Sequence, residues 1–390
     1  MKHRAIRTLI VLLLTAVLLT GCWDRIEIND IAIVMMTALD AAPGGKFREC
    51  IEVALTGQLG GPSGGGGGTG GDKVYYTNSA VGQTVRDASG ALQQSMSRQL
   101  FFAHRRVLLV GEELARRGLA DLFDVVVRIP ENRMSAYIVI TQGSACEVMS
   151  ADTKLERFTG EAIREIITMQ SAIPSDIKDA TLALASDGKD AVLPYLDLRE
   201  IQDPNLDAQE AAFQGFAFFR NDRMAGTLKQ DKALGLLWLM NSVNPYSETI
   251  PFHKGHVSLE IQNGKSDIKP SLRNGRVHVS IDAKLQAQVL ENLSEASLDD
   301  PDGLDRLARA LEERIESNMR AALKDLQKHG SDALGTGTMV YRHFPSLWLD
   351  HYKDDWNEKF AQIPFDIQVN ATISKLGMIS DNVTKKEVSP

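Results

Sequence analysis

The N-terminal segment constrains this chain most, because it combines a short apolar run with a cysteine that is followed at once by charged residues. The apolar run extends from Leu9 to Leu19, and basic residues precede it. A helix that crosses the hydrocarbon core of a bilayer needs about 20 apolar residues, so this run is too short. Asp24 and Arg25 follow closely and prevent its continuation as a membrane span. The pattern predicts that residues 1–21 are an export signal that is removed from the mature protein.

The end of this signal has the form of a lipobox, the sequence at which a bacterial signal is cleaved and a cysteine is acylated. It consists of Leu19, Thr20, Gly21 and Cys22, with an aliphatic residue three positions before the cysteine and small residues between them. We therefore predict that Cys22 carries the lipid. A plain secretory signal with an incidental cysteine is the alternative. Two or three acyl chains on one residue hold a protein stably at a bilayer, so we expect a membrane-anchored body without a span.

Length and composition predict a folded multi-domain protein, and the alternation of strand and helix patterns along the chain predicts the fold class α+β (mixed α/β). A chain of 390 residues exceeds the usual size of one domain, which is roughly 100–200 residues. We expect an N-terminal α/β domain over 22–195, a middle β-rich domain over 196–275 and a C-terminal α/β domain over 276–390. Antiparallel and mixed sheets should be flanked by helices.

The net charge of −8 disfavours nucleic acid and anionic lipid headgroups as partners of the body.

Patterns in the first half of the chain alternate between strands and helices. Two apolar runs, Ile31–Leu39 and Phe47–Leu55, are separated by a Pro-Gly-Gly turn and predict a hairpin. Apolar spacing of three and four residues predicts a helix over Val81–Met96. The continuous apolar run Val107–Gly111 is typical of a buried strand. The glycine-rich tract Gly57–Gly71 is interpreted as a linker, because no Gly-Lys-Ser/Thr follows it to open a helix, as a phosphate-binding loop requires.

In the second half, Asn-Asp and Asn-Gly pairs separate alternating runs and predict hairpins. A strand, a turn and a strand are expected over Ala212–Gly226. A meander is expected from Gly255 to Leu285, with turns at Asn263-Gly264 and Asn274-Gly275. The clearest helix is predicted over Gly303–His329, where apolar residues repeat every three or four positions. It is interpreted as a helix that covers a sheet rather than one that binds a partner.

The cysteines and polar clusters form no catalytic pattern. If Cys22 is acylated, Cys50 and Cys146 remain, and the sequence favours buried free thiols while leaving a disulfide open. His253 and His256 stand three positions apart without a further ligand in metal-binding spacing. The acidic run before the long predicted helix lacks the ligand positions of a calcium loop. Nucleophile elbows and dinucleotide fingerprints are absent from the sequence, so we expect no enzyme activity, no cofactor and no metal.

Several short motifs follow one another along the chain. They are Cys22-Trp23-Asp24-Arg25, Glu27-x-Asn29-Asp30, Phe102-x-His104-Arg105 leading into Val107-Leu108-Leu109-Val110-Gly111, Gly215-x-x-Phe218, Gly235-Leu236-Leu237-Trp238, Ser331-Asp332-x-x-Gly335-x-Gly337, Trp348 and Trp356. In this order and spacing the chain resembles the Ger(x)C family of spore germination lipoproteins, the C subunits of nutrient germinant receptors. The resemblance extends over the whole mature chain, although the glycine-rich tract matches no motif of the family.

The resemblance implies a three-domain α/β body that its lipid anchors to the outer face of the inner spore membrane. It also implies the polytopic A and B subunits of the receptor as partners, and no catalysis. The main alternative is a solute-binding lipoprotein of a transporter, which should show two similar lobes joined by crossover strands. An envelope-remodelling enzyme is a third hypothesis. Because the family motif begins at Cys22, little slack separates the lipid from the first strand, and we expect the body close to the membrane.

Overall fold

A computed structural model of the chain describes residues 27–58, 74–129, 131–151, 153, 155–202, 209–298 and 301–374, together with 4 and 6–8. The predicted lipobox, from Leu19 to Cys22, and residues 59–71 of the glycine-rich tract lie outside the described residues. The fold is mixed α/β, with two sheets flanked by helices, as the sequence predicted. The predicted domain boundaries after residues 195 and 275 stay predictions.

The first sheet has nine strands and mixes parallel and antiparallel pairing. The strands are β1 (Ile31–Ala41), β2 (Phe47–Ala54), β3 (Tyr75–Gly82), β4 (Gln99–Phe101), β5 (Val107–Gly111), β6 (Tyr137–Thr141), β7 (Val192–Glu200), β8 (Gln209–Arg220) and β9 (Arg223–Lys229). Their order is β3-β2-β1-β5-β6-β7-β8-β9, and β4 pairs with the start of β1. The four central strands β1, β5, β6 and β7 are parallel, whereas antiparallel hairpins extend both edges. The predicted hairpin of β1 with β2 is confirmed.

Helices cover both faces of this sheet. They are α1 (Val85–Gln94), α2 (Glu112–Arg117), α3 (Ala120–Arg128), α4 (Ala145–Met149), α5 (Thr159–Gln170) and α6 (Ile177–Leu184). One apolar core lies beneath α2, α3 and α6, and another lies beneath α4 and α5. Because both faces are covered, β5 is apolar throughout, and all five of its residues are buried. The predicted buried strand is thus confirmed.

The first predicted helix is shorter than its apolar spacing indicated. Val81 belongs to β3, where it pairs with Arg48 of β2. The helix begins at Val85, after the N-cap Thr84, whose hydroxyl accepts a hydrogen bond from the backbone N–H of Asp87 at 3.1 Å. This cap satisfies an N–H that has no partner inside the helix, and it fixes the start. Val81 therefore lies in a strand because it pairs with β2, although the local apolar spacing predicted a helix.

Cys50 and Cys146 form a disulfide, with their Cα atoms 5.8 Å apart. The bond joins β2 to α4 within the core beneath α4 and α5. The favoured interpretation of two free thiols was therefore wrong. The pairing depends on a helix that packs beneath a strand 96 residues away along the chain, and no local pattern reports such a contact.

The second sheet has four strands in the order β10-β11-β12-β13. They are β10 (Tyr246–Phe252), β11 (Gly255–Arg273), β12 (Arg276–Asn292) and β13 (Phe365–Ser374). The helices around it are α7 (Asp231–Leu239), α8 (Pro301–His329), α9 (Thr336–His343), α10 (Pro345–His351) and α11 (Trp356–Phe360). The hairpin turn at Asn274-Gly275 is confirmed, because β11 and β12 pair up to Arg273 and Arg276 on either side of it.

The turn predicted at Asn263-Gly264 is wrong, since β11 continues through it with only a shift in register after Ile261. Gly264 lies against the indole ring of Trp238, so closely that a Cβ atom would collide with it. Trp238 is almost fully buried. The glycine here permits close packing of a side chain on a strand.

The long helix α8 covers one face of the second sheet, and its predicted position is confirmed. Leu307, Leu311, Ile315 and Met319 are fully buried in the core shared with the sheet. Gly330 has a positive φ of 63° directly after the helix, which ends there. Among the helices of the described residues, none combines the length and the apolarity that crossing a bilayer requires.

Candidate functional site

Residues of the C-terminal motif meet the first sheet where the end of α8 approaches the start of β7. This place is termed the junction and is defined by Asp190, Ser331, Asp332, Trp356 and Asn357. All five residues make hydrogen bonds there. Ser331 donates from Oγ to the carbonyl oxygen of Phe219 in β8 at 2.5 Å. The junction thus joins the helices of the second sheet to strands of the first.

Asp332 is fully buried at the centre of the junction. Its carboxylate accepts hydrogen bonds from the backbone N–H of Thr336 at 2.9 Å, the backbone N–H of Gly337 at 2.7 Å and the indole Nε1 of Trp356 at 2.9 Å. Burial raises the pKa of Asp332 to about 6, and these three donors hold it below the value that burial alone would give. The side chain organises the turn into α9 and positions Trp356.

Asp190 continues the network from the first sheet. Its Oδ1 accepts from the backbone N–H of Asn221 at 2.8 Å, and its Oδ2 accepts from the backbone N–H of Asp332 at 2.8 Å and from Nδ2 of Asn357 at 3.1 Å. The backbone N–H of Asp190 donates in return to the carbonyl of Asp332 at 2.9 Å. Burial also raises the pKa of Asp190. These reciprocal bonds fix the start of β7 against the chain that leaves α8.

Close backbone contact accompanies these bonds. A Cβ atom at Gly188 would lie 2.6 Å from the backbone nitrogen of Thr338, and one at Gly337 would lie 2.7 Å from the Cα of Gly188 and 2.8 Å from the ring of Trp348. Two aromatic residues of the motif pack behind this contact, with the rings of Trp348 and Trp356 at 5.1 Å between centroids. The glycines of the motif therefore permit two backbones to meet.

The remaining motifs of the second half also lie at packing contacts. Gly235 of α7 faces the backbone of Asn318 in α8, so the two helices approach closely. The ring of Phe218 in β8 packs edge to face against His329 near the end of α8, at 5.4 Å between centroids. These residues connect the two sheets. They do not form a group of nucleophile, base and electrophile.

A second buried polar group lies inside the first sheet. Arg105 is 4% exposed, and its Nε and Nη2 atoms have no hydrogen-bond partner within the described part of the chain. Glu49, which is 2% exposed, accepts from Oγ of Ser89 at 2.5 Å. Burial raises the pKa of Glu49 to about 7 and lowers that of Arg105 to about 10, while their mutual attraction opposes both shifts. His104, singled out beside this arginine, is exposed in the turn after β4.

Sequence reasoning missed both Glu49 and Arg105 as buried charges. The available signal was weak, because β2 contains Arg48, Glu49 and Glu52 among its apolar residues, and Arg105 stands next to a second arginine, Arg106, before the apolar run of β5. Another buried acid, Glu52, accepts from the backbone N–H groups of Thr159 and Gly160 at the start of α5, at 3.0 and 3.3 Å. Glu52 thereby caps this helix from the neighbouring strand.

Two open cavities share Lys353 and Asp354 in their linings, and the smaller one adjoins the junction. One of about 380 Å³ is lined by Asp187, Lys189 and Asp190 together with Lys353 and Asn357. The other, of about 810 Å³, lies between the turn of the β11–β12 hairpin and α10. Across the residues that the structure describes, no group of three or more His, Cys, Asp or Glu side chains is placed to hold a metal ion. Both cavities therefore present polar side chains but no metal site among the described residues.

The predicted lipid site, Cys22, and the lipobox residues Leu19, Thr20 and Gly21 lie outside the described residues. The described part of the body begins at Glu27, five positions after Cys22, and a short 3-10 helix over Ile28–Asp30 leads directly into β1. The connection from the predicted lipid to the first strand is therefore short.

Comparison with known proteins gives matches along nearly the whole chain. Residues 24–198 match the family described as "Spore germination protein N-terminal domain", and residues 214–377 match "Spore germination B3/ GerAC like, C-terminal". The chain is 30% identical over 374 residues to "Putative spore germination protein YfkR" of Bacillus subtilis (strain 168), covering 95% of this chain and 97% of that protein. It is 25% identical over 393 residues to "Spore germination protein KC" of the same organism, covering 95% of each.

The fold is similar to a solved structure titled "Crystal Structure of the GerBC protein". The TM-score is 0.57 at 19% sequence identity, over 86% of this chain and 96% of the other. This likeness supports the mixed α/β fold. Together with the sequence matches, it confirms the resemblance to the Ger(x)C family.

Proposed function

Because the chain belongs to the Ger(x)C family of spore germination proteins, whose N-terminal and C-terminal domains it matches, we propose that it is the lipid-anchored C subunit of a nutrient germinant receptor. One observation carries the proposal: the family matches begin at residue 24, directly after the predicted lipid site at Cys22, and end at residue 377, beyond β13. Family membership also makes the chain a non-enzymatic protein, as the sequence predicted.

In this proposal, the acylated Cys22 holds the body at the outer face of the inner spore membrane, where it assembles with the polytopic A and B subunits. The junction supports an assembly role, because its reciprocal hydrogen bonds fix the two sheets in one relative position. A partner that contacts both sheets then meets a single rigid surface. The protein is needed there for the response of the receptor to nutrients.

The alternative of a transporter's solute-binding lipoprotein is not favoured. Such a protein should have two similar α/β lobes, but the two sheets here differ in size and topology, with nine and four strands. The polar groups at the junction are also engaged with one another and with backbone N–H groups, rather than aimed into an empty cleft.

The test is the change Cys22→Ala in the sporulating cell. We expect the variant to be lost from the spore membrane fraction and nutrient-triggered germination to be impaired, because the thiol that receives the acyl chains is gone. Gly21→Ala is the matched control, since it keeps a small residue before the cysteine and should leave both properties unchanged. Solubilised membranes should yield polytopic proteins together with the wild-type chain. Membrane attachment of Cys22→Ala with an unchanged nutrient response would contradict the proposal.

A further inference from the structure

We propose that one end of the first sheet inserts aromatic and apolar side chains into the interface of the bilayer and so sets the orientation of the body on the membrane. This surface is termed the rim. It consists of Tyr75, Tyr76, Phe101, His104, Leu155 and Phe158. The inference rests on the proposed lipid anchor and goes beyond it, because it names the surface that faces the lipid.

The length of the anchor restricts which surface can reach the membrane. Glu27 lies five positions after Cys22, and five residues span at most about 18 Å even when fully extended. The chain then enters β1 at Ile31. The strand has 11 residues and is therefore about 35 Å long. The start of β1 must lie near the bilayer, whereas its end at Ala41 is a full strand length farther along.

Strand register places the rim at the start of β1. Ile33 pairs with Phe101 at the end of β4, and His104 follows in the next turn, with its ring 5.9 Å from that of Phe101. β2 runs back to the same end, where Val53 pairs with Tyr76 of β3. Tyr75 precedes Tyr76. Two chain segments distant in sequence thus bring aromatic side chains to the same end of the sheet.

A third segment reaches the rim through the helix cap described above. Glu52 near the end of β2 holds the start of α5, and the ring of Phe158, just before that helix, lies 6.4 Å from the ring of Tyr75. Leu155 stands three residues before Phe158. Hydrogen bonds to a buried carboxylate fix the position of this segment. The rim is therefore a well-defined part of the folded surface.

The exposure of these side chains fits a membrane interface better than bulk water. Leu155 is 95% exposed and Tyr76 is 44% exposed, while Tyr75, Phe101 and Phe158 are half-buried. Aromatic rings with a polar edge are enriched at the level of the lipid headgroups, and exposed apolar clusters mark interaction surfaces.

Charges near the rim are mixed in sign, with Glu27 and Asp30 against Arg98 and Arg157, all exposed. The surface therefore does not attract anionic lipids strongly. Its aromatic and apolar side chains fit the interface of a zwitterionic lipid bilayer.

The experiment places a fluorophore at the rim and at the opposite end of β1. Leu155→Cys and, as the matched control, Glu113→Cys are each labelled with NBD in the full-length lipidated protein on phosphatidylcholine vesicles. Leu39 of β1 pairs with Val110, so the exposed Glu113 of α2 lies near the far end of the strand. Cys22 is acylated and Cys50 is bonded to Cys146, so the introduced thiol takes the label.

We expect nitroxide lipids to quench the fluorophore at position 155 several-fold more strongly than at 113. If the protein sediments with the vesicles but position 155 is not quenched, the rim proposal is overturned and the lipid anchor stands. If the protein does not bind the vesicles at all, both proposals fail. If position 155 becomes shielded only in spore membranes that contain other receptor subunits, the rim contacts protein and the proposal is again overturned.

Discussion

Two of the buried polar groups described above keep carboxylates out of water in different ways. At the junction, Asp190 and Asp332 are surrounded by N–H donors from three chain segments. Among the described residues neither forms an ion pair, although the charge of Arg220 acts to lower the pKa of Asp190. Inside the first sheet, Glu49 lies near the cation Arg105 but accepts a single side-chain hydrogen bond, from Ser89, and two guanidinium nitrogens stay without partners in the described structure. The first arrangement satisfies directional bonds, and the second offsets charge.

The comparison shows which of the two regions fixes the backbone through directional hydrogen bonds. A carboxylate that accepts several N–H bonds fixes the backbone that donates them, since each unmade bond would leave a buried polar group unpaired. A buried carboxylate that relies mainly on attraction to a nearby cation with open donors constrains its surroundings less and gains less, because desolvation offsets much of the attraction. We therefore expect the junction to be the more sensitive of the two regions to substitution.

The largest effect is expected for Asp332→Ala. Three buried N–H donors lose their acceptor, and the free energy of unfolding should fall by about 3–5 kcal/mol in a urea titration. Asp305→Ala, on the exposed side of α8, is the control and should stay within about 0.5 kcal/mol of the wild type. Equal effects of the two changes would show that the network at the junction does not stabilise the fold.

Removing the disulfide tests what holds the first sheet. The double change Cys50→Ala with Cys146→Ala should lower the free energy of unfolding by about 2–4 kcal/mol, because the unfolded chain regains the freedom of a loop of 96 residues. Dithiothreitol should destabilise the wild type by a similar amount and leave the variant unchanged. A reductant that affects both proteins equally would argue against the bond.

The close contact at the junction predicts a smaller loss. Gly337→Ala adds a methyl group 2.7 Å from the Cα of Gly188, and the crowding should cost about 1–3 kcal/mol in thermal or urea unfolding. Gly90→Ala is the control, because open space surrounds that position in α1 and alanine is the better helix former. This control should gain about 0.5–1 kcal/mol. A stabilising Gly337→Ala would mean that the backbones are not in contact.

An effect of similar size to that of Gly337→Ala is expected in the pH dependence from Glu49. Its pKa is raised to about 7 in the folded protein, against an ordinary value of 4.5, so the folded state binds a proton that the unfolded state has released. Its contribution to stability is therefore complete below the unfolded pKa and is lost as the pH rises through the folded pKa. Between about pH 5 and pH 8, the wild type should lose about 1–3 kcal/mol more than Glu49→Gln. Parallel pH profiles for the two proteins would contradict the assignment.

Local patterns in the sequence were sufficient to predict those elements whose secondary structure depends on residues nearby in the chain. The apolar run of β5, the turn at Asn274-Gly275 and the spacing of α8 each appear in the structure as predicted. The order of short motifs was likewise enough to identify the family. The lipid attachment at Cys22 also follows from sequence alone and stays a prediction.

Only the tertiary structure decided the rest, because it depends on residues far apart in the chain. Asn263-Gly264 is part of a strand since Trp238 packs on it, and Val81 is part of a strand since Arg48 pairs with it. The bond of Cys50 to Cys146, like the bonds that Asp332 exchanges with Asp190, arises where distant segments meet.

A local pattern reports which face of an element is apolar. It does not report which distant element covers that face, and the covering contacts built both the junction and the rim.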